Sequence, residues 1–150
     1  MHEDRIVGSL LGLAVGDALG TTVEFQARDS FSPVTDMVGG GVFRLAPGQW
    51  TDDTTMALCI AASLVETGAY DPRDQLARFL RWYRDGYLSS TGRCFDIGNQ
   101  TLTALGEFEA TGEPYRTAAG GMSAGNGSLM RLAPVAMAFC DDLEAAGRFC

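Results

Sequence analysis

The residues able to do chemistry fall into four short segments. Thr51-Asp52-Asp53-Thr54 places two carboxylates and two hydroxyls side by side. Such oxygens suit magnesium or manganese, which take hard ligands at about 2.0–2.1 Å in octahedral arrangement. Adjacent aspartates repel, and a cation between them relieves that cost. The competing reading is a helix start, with Thr51 or Asp52 as N-cap and acidic residues complementing the helix dipole.

The second segment contains Asp17, within Gly16-Asp17-Ala18-Leu19-Gly20, and Glu24, within Val23-Glu24-Phe25. Asp17 lies in an apolar helical stretch and needs a partner if buried; bonding the amides of the next turn would supply one. Glu24 stands between two hydrophobes, where burial would raise its pKa toward the range of acid–base work, unless it is simply a surface residue. In the third segment, Asp96-Ile97-Gly98, Asp96 is placed either to cap a helix beginning at Ile97 or to hold sugar hydroxyls. The fourth is Gly125-Asn126-Gly127-Ser128, whose glycines permit positive φ and expose bare amides to an anion or a ribose. A plain tight turn would look the same.

The elements that must position these residues read as helices separated by glycine-rich loops. Ile6, Leu10, Leu13 and Asp17 recur at helical steps, and Gly20 ends that helix. Gly8, Gly12 and Gly16 form a stripe along it. Each costs about 1 kcal/mol relative to alanine, so close approach of another backbone is the expected compensation. Residues 21–50 read as one extended loop, and a loop of that length often carries function. Thr54 to Thr67 reads as a helix with Met56, Ile60, Leu64 and Val65 inward. Asp71-Pro72 caps and starts another that runs to about Asp85 and buries Leu76, Phe79, Leu80 and Tyr83. A helix over Ile97–Ala110 follows, then an apolar segment from Ser128 to Phe139 and a further helix from Asp141. The expected fold is all-α, with long loops on one side.

Composition bounds the rest. The 150 residues are long enough for one domain or part of one, and 46% apolar with 20% charged residues is ordinary for a globular protein. A net charge of −8 argues against wrapping nucleic acid. All eleven cations are arginines; they are scattered, except that Arg78, Arg81 and Arg84 share a helical face expected to be solvated. The glycine-broken run Ile6–Leu19 reads as too short and too interrupted to span a bilayer, and the polar start resembles no secretory signal, so the expected compartment is the cytoplasm. Cys59, Cys94, Cys140 and Cys150 form no CxxC pair, and reduced thiols are the expectation.

In this order the segments resemble the ADP-ribosylglycohydrolase family, of the type that reactivates dinitrogenase reductase. The resemblance is carried by Gly8–Gly20, Val23–Phe25, Trp50–Met56, Asp96–Gly98 and Gly125–Arg131, and extends over nearly the whole sequence. It implies a compact orthogonal bundle of helices and a binuclear Mg2+ or Mn2+ centre. It also implies metal ligation by Thr51, Asp52 and Asp53, with Glu24 beside the metals and Asp17 as an organiser. Gly98 and the loop Gly125, Asn126, Gly127 and Ser128 would line the ADP-ribose cleft with Asp96. The implied reaction is hydrolysis of the ribosyl bond of ADP-ribosylated protein or a small ADP-ribosyl compound, with Glu24 the first and Asp96 the second catalytic candidate. Family members are roughly twice as long and carry a second aspartate-rich metal motif, which nothing after Ser128 matches. The 150 residues therefore read as the N-terminal part of one such domain, and a non-catalytic ADP-ribose-binding remnant is the alternative.

Overall fold

The computed structural model describes residues 3–115, 125 and 127–149. It is all-α. The helices are α1 (Glu3–Gly20), α2 (Asp52–Thr67), α3 (Pro72–Asp85), α4 (Asn99–Thr111), α5 (Gly127–Met130), α6 (Ala133–Ala138) and α7 (Leu143–Phe149). No strand occurs among the described residues; the nearest approach is an isolated bridge, Gly40 with Leu45, inside the long loop.

Helix α2 is the axis of the bundle, with α3 and α6 packed along it. Its residues Met56, Cys59 and Ile60 meet Phe79 and Trp82 of α3, Leu105 of α4 and Val135 of α6 in one buried cluster. The inward faces differ from the sequence expectation at two positions. Val65 is exposed and the inner face is continued by Ser63, while on α3 Trp82 is buried and Tyr83 faces outward. On α3 the phase is off by one residue, and the larger tryptophan takes the buried position next to the tyrosine.

Arg78 also departs from the solvated face expected of Arg78, Arg81 and Arg84. It is buried, donating through Nη2 to Glu66 Oε2 at 2.8 Å and through Nε to Asp74 Oδ2 at 2.6 Å. Its Nη1 reaches the Tyr87 hydroxyl at 3.3 Å. Arg81 stacks on the Tyr87 ring, 3.8 Å from its centre, and both it and Arg84, which is paired with Glu109, keep to the surface as expected. The segment from 128 to 139 divides into α5 and α6, because Pro134 sits in the first turn of α6 and cannot continue a preceding helix. The free thiols of Cys59, Cys94 and Cys140 carry no disulfide.

The loop between α1 and α2 is pinned rather than loose. It opens with a 3-10 turn, Thr21–Val23. Gly41 adopts φ 65°, and a Cβ there would collide with the Thr21 carbonyl, so only glycine lets the loop close over the end of α1. Its far end is clamped to the α3–α4 connection. Ser90 Oγ donates to the Trp50 carbonyl at 2.6 Å and accepts from the Trp50 amide at 3.1 Å.

Helix α1 runs unbroken through its glycines to Gly20, as its helical spacing predicts, but it is longer than the run the sequence marked as too short to span a bilayer. By length and composition alone, α1 with the turn after it could cross a membrane. The glycine stripe is open: a Cβ on Gly8, Gly12 or Gly16 would meet nothing within 4 Å. The close backbone neighbour expected from the sequence is therefore not found among the described residues.

Candidate active site

Asp17 organises the site. Its carboxylate accepts from the Thr51 amide at 3.0 Å, the Thr51 hydroxyl at 2.8 Å, the Thr54 amide at 3.1 Å and the Thr54 hydroxyl at 2.7 Å. The amide of Thr54 lies in the first turn of α2, where helices leave amides without partners. Asp17 thus caps α2 from another helix. The sequence reading had Asp17 serving the turn that follows it; the amides it serves lie 34 and 37 residues further on. Thr51 occupies the N-cap position of α2, but its hydroxyl turns to Asp17 and makes no cap bond of its own.

That arrangement holds Asp52 and Asp53 at the start of α2 beside a cavity of about 1130 Å³. Glu24, Thr51, Asp52, Asp53, Asp96, Gly98, Gly125, Gly127 and Ser128 all line it, as does Asp17. Every candidate residue within the described set is therefore brought to one place. Asn126 lies outside the described residues. Asp96 does not cap α4, which begins at Asn99 with Gly98 as its N-cap. Instead Asp96 takes a left-handed conformation, φ 58°, which turns the chain just before the helix. A non-glycine residue held there costs on the order of 1–3 kcal/mol, so the surrounding packing must enforce it.

The carboxylates disturb one another. Burial, then the charges of Asp96, Asp53 and Asp17, push the Asp52 carboxyl up to about 8. Burial, then Glu24, raise Asp96 to about 7, and Glu24 and Asp96 are hydrogen-bonded carboxyl to carboxyl. Burial also raises Glu24, against the hydroxyl of Thr21, which donates to its Oε2 at 3.4 Å, and burial raises Asp53. Two ionised carboxylates in contact repel, and the contact with Glu24 favours the protonated form of Asp96.

Two residues to which the sequence reading gave no role complete the lining. Gln100 accepts the Gly125 amide through Oε1 at 3.0 Å, tying the glycine loop to α4. Arg131 contributes a guanidinium that lies 5.4 Å from the centre of the Phe79 ring, with Nη1 3.5 Å from Met56 Sδ. It is the one cation among five carboxylates on the described cavity wall. Neither was legible locally, because a glutamine inside a helix and an arginine after a methionine carry no spacing signal.

The oxygen donors match a hard divalent cation in kind. Among the described residues, however, no three His, Cys, Asp or Glu side chains are grouped closely enough to hold one.

A family model described as ADP-ribosylglycohydrolase matches residues 1–149. The chain belongs to the ADP-ribosylglycohydrolase family. It is 53% identical over 134 residues to an ADP-ribosylarginine hydrolase of Pseudomonas putida, a match covering 89% of this chain and 36% of that one. An ADP-ribosyl-(dinitrogen reductase) glycohydrolase of Rhodospirillum rubrum is 39% identical over 91% of this chain and 45% of its own length. Among solved structures, an ADP-ribosylglycohydrolase-related protein complex superposes with a TM-score of 0.80 at 48% identity, over 97% of this chain and 47% of that one. The chain thus spans less than half the length of these ADP-ribosylglycohydrolase relatives.

Proposed function

We propose that this chain supplies the substrate cleft and one wall of the metal site of an enzyme that hydrolyses the ribosyl bond of ADP-ribosylated protein or a related ADP-ribosyl compound. The observation that carries this reading is the convergence of Glu24, Thr51, Asp52, Asp53, Asp96 and the Gly125–Ser128 loop on one cavity. The relatives' names point to ADP-ribosylarginine as the first substrate to try.

Thr51, Asp52 and Asp53 would hold Mg2+ or Mn2+. A bound cation would neutralise the crowded carboxylates, orient ribose hydroxyls and acidify water. Hydrolysis puts the water oxygen on the anomeric carbon, breaks the bond to the acceptor, and moves one proton from water to the departing group. A carboxyl pair in contact can take a proton and return one. Glu24 is assigned the water and Asp96 the support of that role. Gly98 and Gly125–Ser128, Asn126 included, would receive the ADP-ribose.

The test is release of ADP-ribose from ADP-ribosylarginine, with Mg2+ and with a chelator. Activity should require the metal, and Glu24→Gln should lower kcat by roughly 10²–10³. Full activity of Glu24→Gln with unchanged metal affinity would remove Glu24 from the chemistry. A second reading is a binding module without turnover, favoured by the lack of a three-ligand group among the described residues. Calorimetry with ADP-ribose separates the two, since the module would bind and release nothing.

A further inference from the structure

Glu24 and Phe25 are the two central residues of one turn. The Gln26 amide donates to the Val23 carbonyl at 3.0 Å, Glu24 has φ −56° and ψ 140°, and Phe25 has φ 61°. Those angles match a type II turn, whose third residue favours glycine or asparagine because φ is positive there. A phenylalanine at that position is strained, and strain of this kind collects where proteins clamp ligands. The fold gives its ring little in return. It is 78% exposed, and among the described residues it meets Phe43 edge-on, with ring centres 6.4 Å apart. Phe43 meets Phe95 in the same manner at 5.3 Å. The row of rings therefore runs from the chain neighbour of Glu24 to the chain neighbour of Asp96, and Phe25 is the one aromatic side chain on the described cavity wall.

We propose that Phe25 forms one side of an acceptor subsite and selects the guanidinium of an ADP-ribosylated arginine over an uncharged linkage. The inference deepens the proposed hydrolysis and rests on it: Glu24 is assigned to the breaking bond, and Phe25 stands beside Glu24 on the same turn. An exposed aromatic face attracts a cation through its ring quadrupole. The carboxylates of Asp17, Glu24, Asp52, Asp53 and Asp96, set against the single guanidinium of Arg131, draw the same charge toward the cavity. A guanidinium suits both features, since it is planar, lies flat on an aromatic ring and stays charged at neutral pH. Phe25 takes no part in breaking the bond. It holds the cationic side chain near Glu24, while Phe43, in contact with Phe95, holds the ring.

The test compares kcat/KM for ADP-ribosylarginine with kcat/KM for ADP-ribosylserine, whose linkage is an uncharged ether, in wild type, Phe25→Leu and Phe25→Trp. Leucine keeps the apolar bulk and removes the aromatic face; tryptophan restores that face. In Phe25→Leu the arginine-to-serine ratio should fall roughly tenfold, and in Phe25→Trp it should return to the wild-type value or exceed it. Because the readout is a ratio within one protein, partial misfolding lowers both rates and leaves it unmoved. An unchanged ratio in Phe25→Leu overturns the inference and leaves the reaction standing; equal losses on both substrates, as stacking of the adenine ring on Phe25 would give, do the same. So does a wild-type protein that acts on the serine linkage alone, or a Phe25→Trp that behaves as Phe25→Leu. If the wild type turns over neither substrate, the proposed reaction fails, and the same ratio is read from calorimetric affinities, which hydrolysis then does not disturb. Binding of neither substrate overturns both.

Discussion

At the scale of single residues, Asp17 decides whether the site exists. Two amides and two hydroxyls converge on its carboxylate, and all belong to the segment that presents Asp52 and Asp53. Asp17→Asn turns two acceptor oxygens into one acceptor and one donor that faces other donors. Charge-assisted bonds of this kind contribute about 1.5–3 kcal/mol each, not additively. The expected outcome is a loss of about 2–3 kcal/mol in urea unfolding, with metal affinity falling as the Thr51–Asp53 backbone loses its anchor. Unchanged stability would mean that Thr51 and Thr54 find water or other acceptors. The need of Asp17 for a partner was legible from the apolar helix around it. The identity of the partner was not, because it lies across a loop whose closure depends on Gly41 and Ser90.

At the scale of elements, α2 and α3 are joined by apolar packing and by one buried guanidinium. Arg78 of α3 reaches Glu66 of α2 and Asp74 of its own helix, and closes on Tyr87 beyond. Removing a buried partner normally costs about 3–5 kcal/mol. Here Glu66 is largely exposed and recovers water, so Arg78→Met should cost about 2 kcal/mol, read as a lowered midpoint with an unchanged m-value. Helical periodicity made α1 through α4 legible within a few residues, since apolar spacing and the Asp71–Pro72 cap are local signals. The burial of Arg78 was hidden, because an arginine at helical spacing looks the same whether its partners are water or carboxylates. The start of α4 was misplaced for a related reason: Asp96 has the composition of a cap and the backbone of a left-handed turn.

For the whole molecule, the acidic cavity makes stability depend on pH. Unfolded, Asp52 loses its proton near 3.8; folded, it keeps it to about 8. Asp96 behaves alike, holding its proton to about 7. Between these limits the folded chain binds protons that the unfolded chain has released, so stability falls as pH rises from about 4 toward 8. Without divalent cation, the melting midpoint should be higher at pH 5 than at pH 8, and Asp52→Asn should remove much of the difference. A midpoint that rises over that range would contradict the burial of these carboxylates. Family and fold class could be read from the order of four motifs. The open face of α1 could not, since glycines at helical spacing look the same whether a neighbour covers them or not.

The cap that Asp17 gives α2 also orders events in time. Helix α2 can wind locally, but its first turn gains its acceptor only when α1 arrives from more than thirty residues upstream. Closing that loop has an entropic cost. The final placement of Asp52 and Asp53 therefore depends on the docking of α1 as well as on the winding of the helix that carries them. An ion offered to the nascent chain meets separate, solvated aspartates, and the crowded wall it would recognise appears only once the two helices have docked.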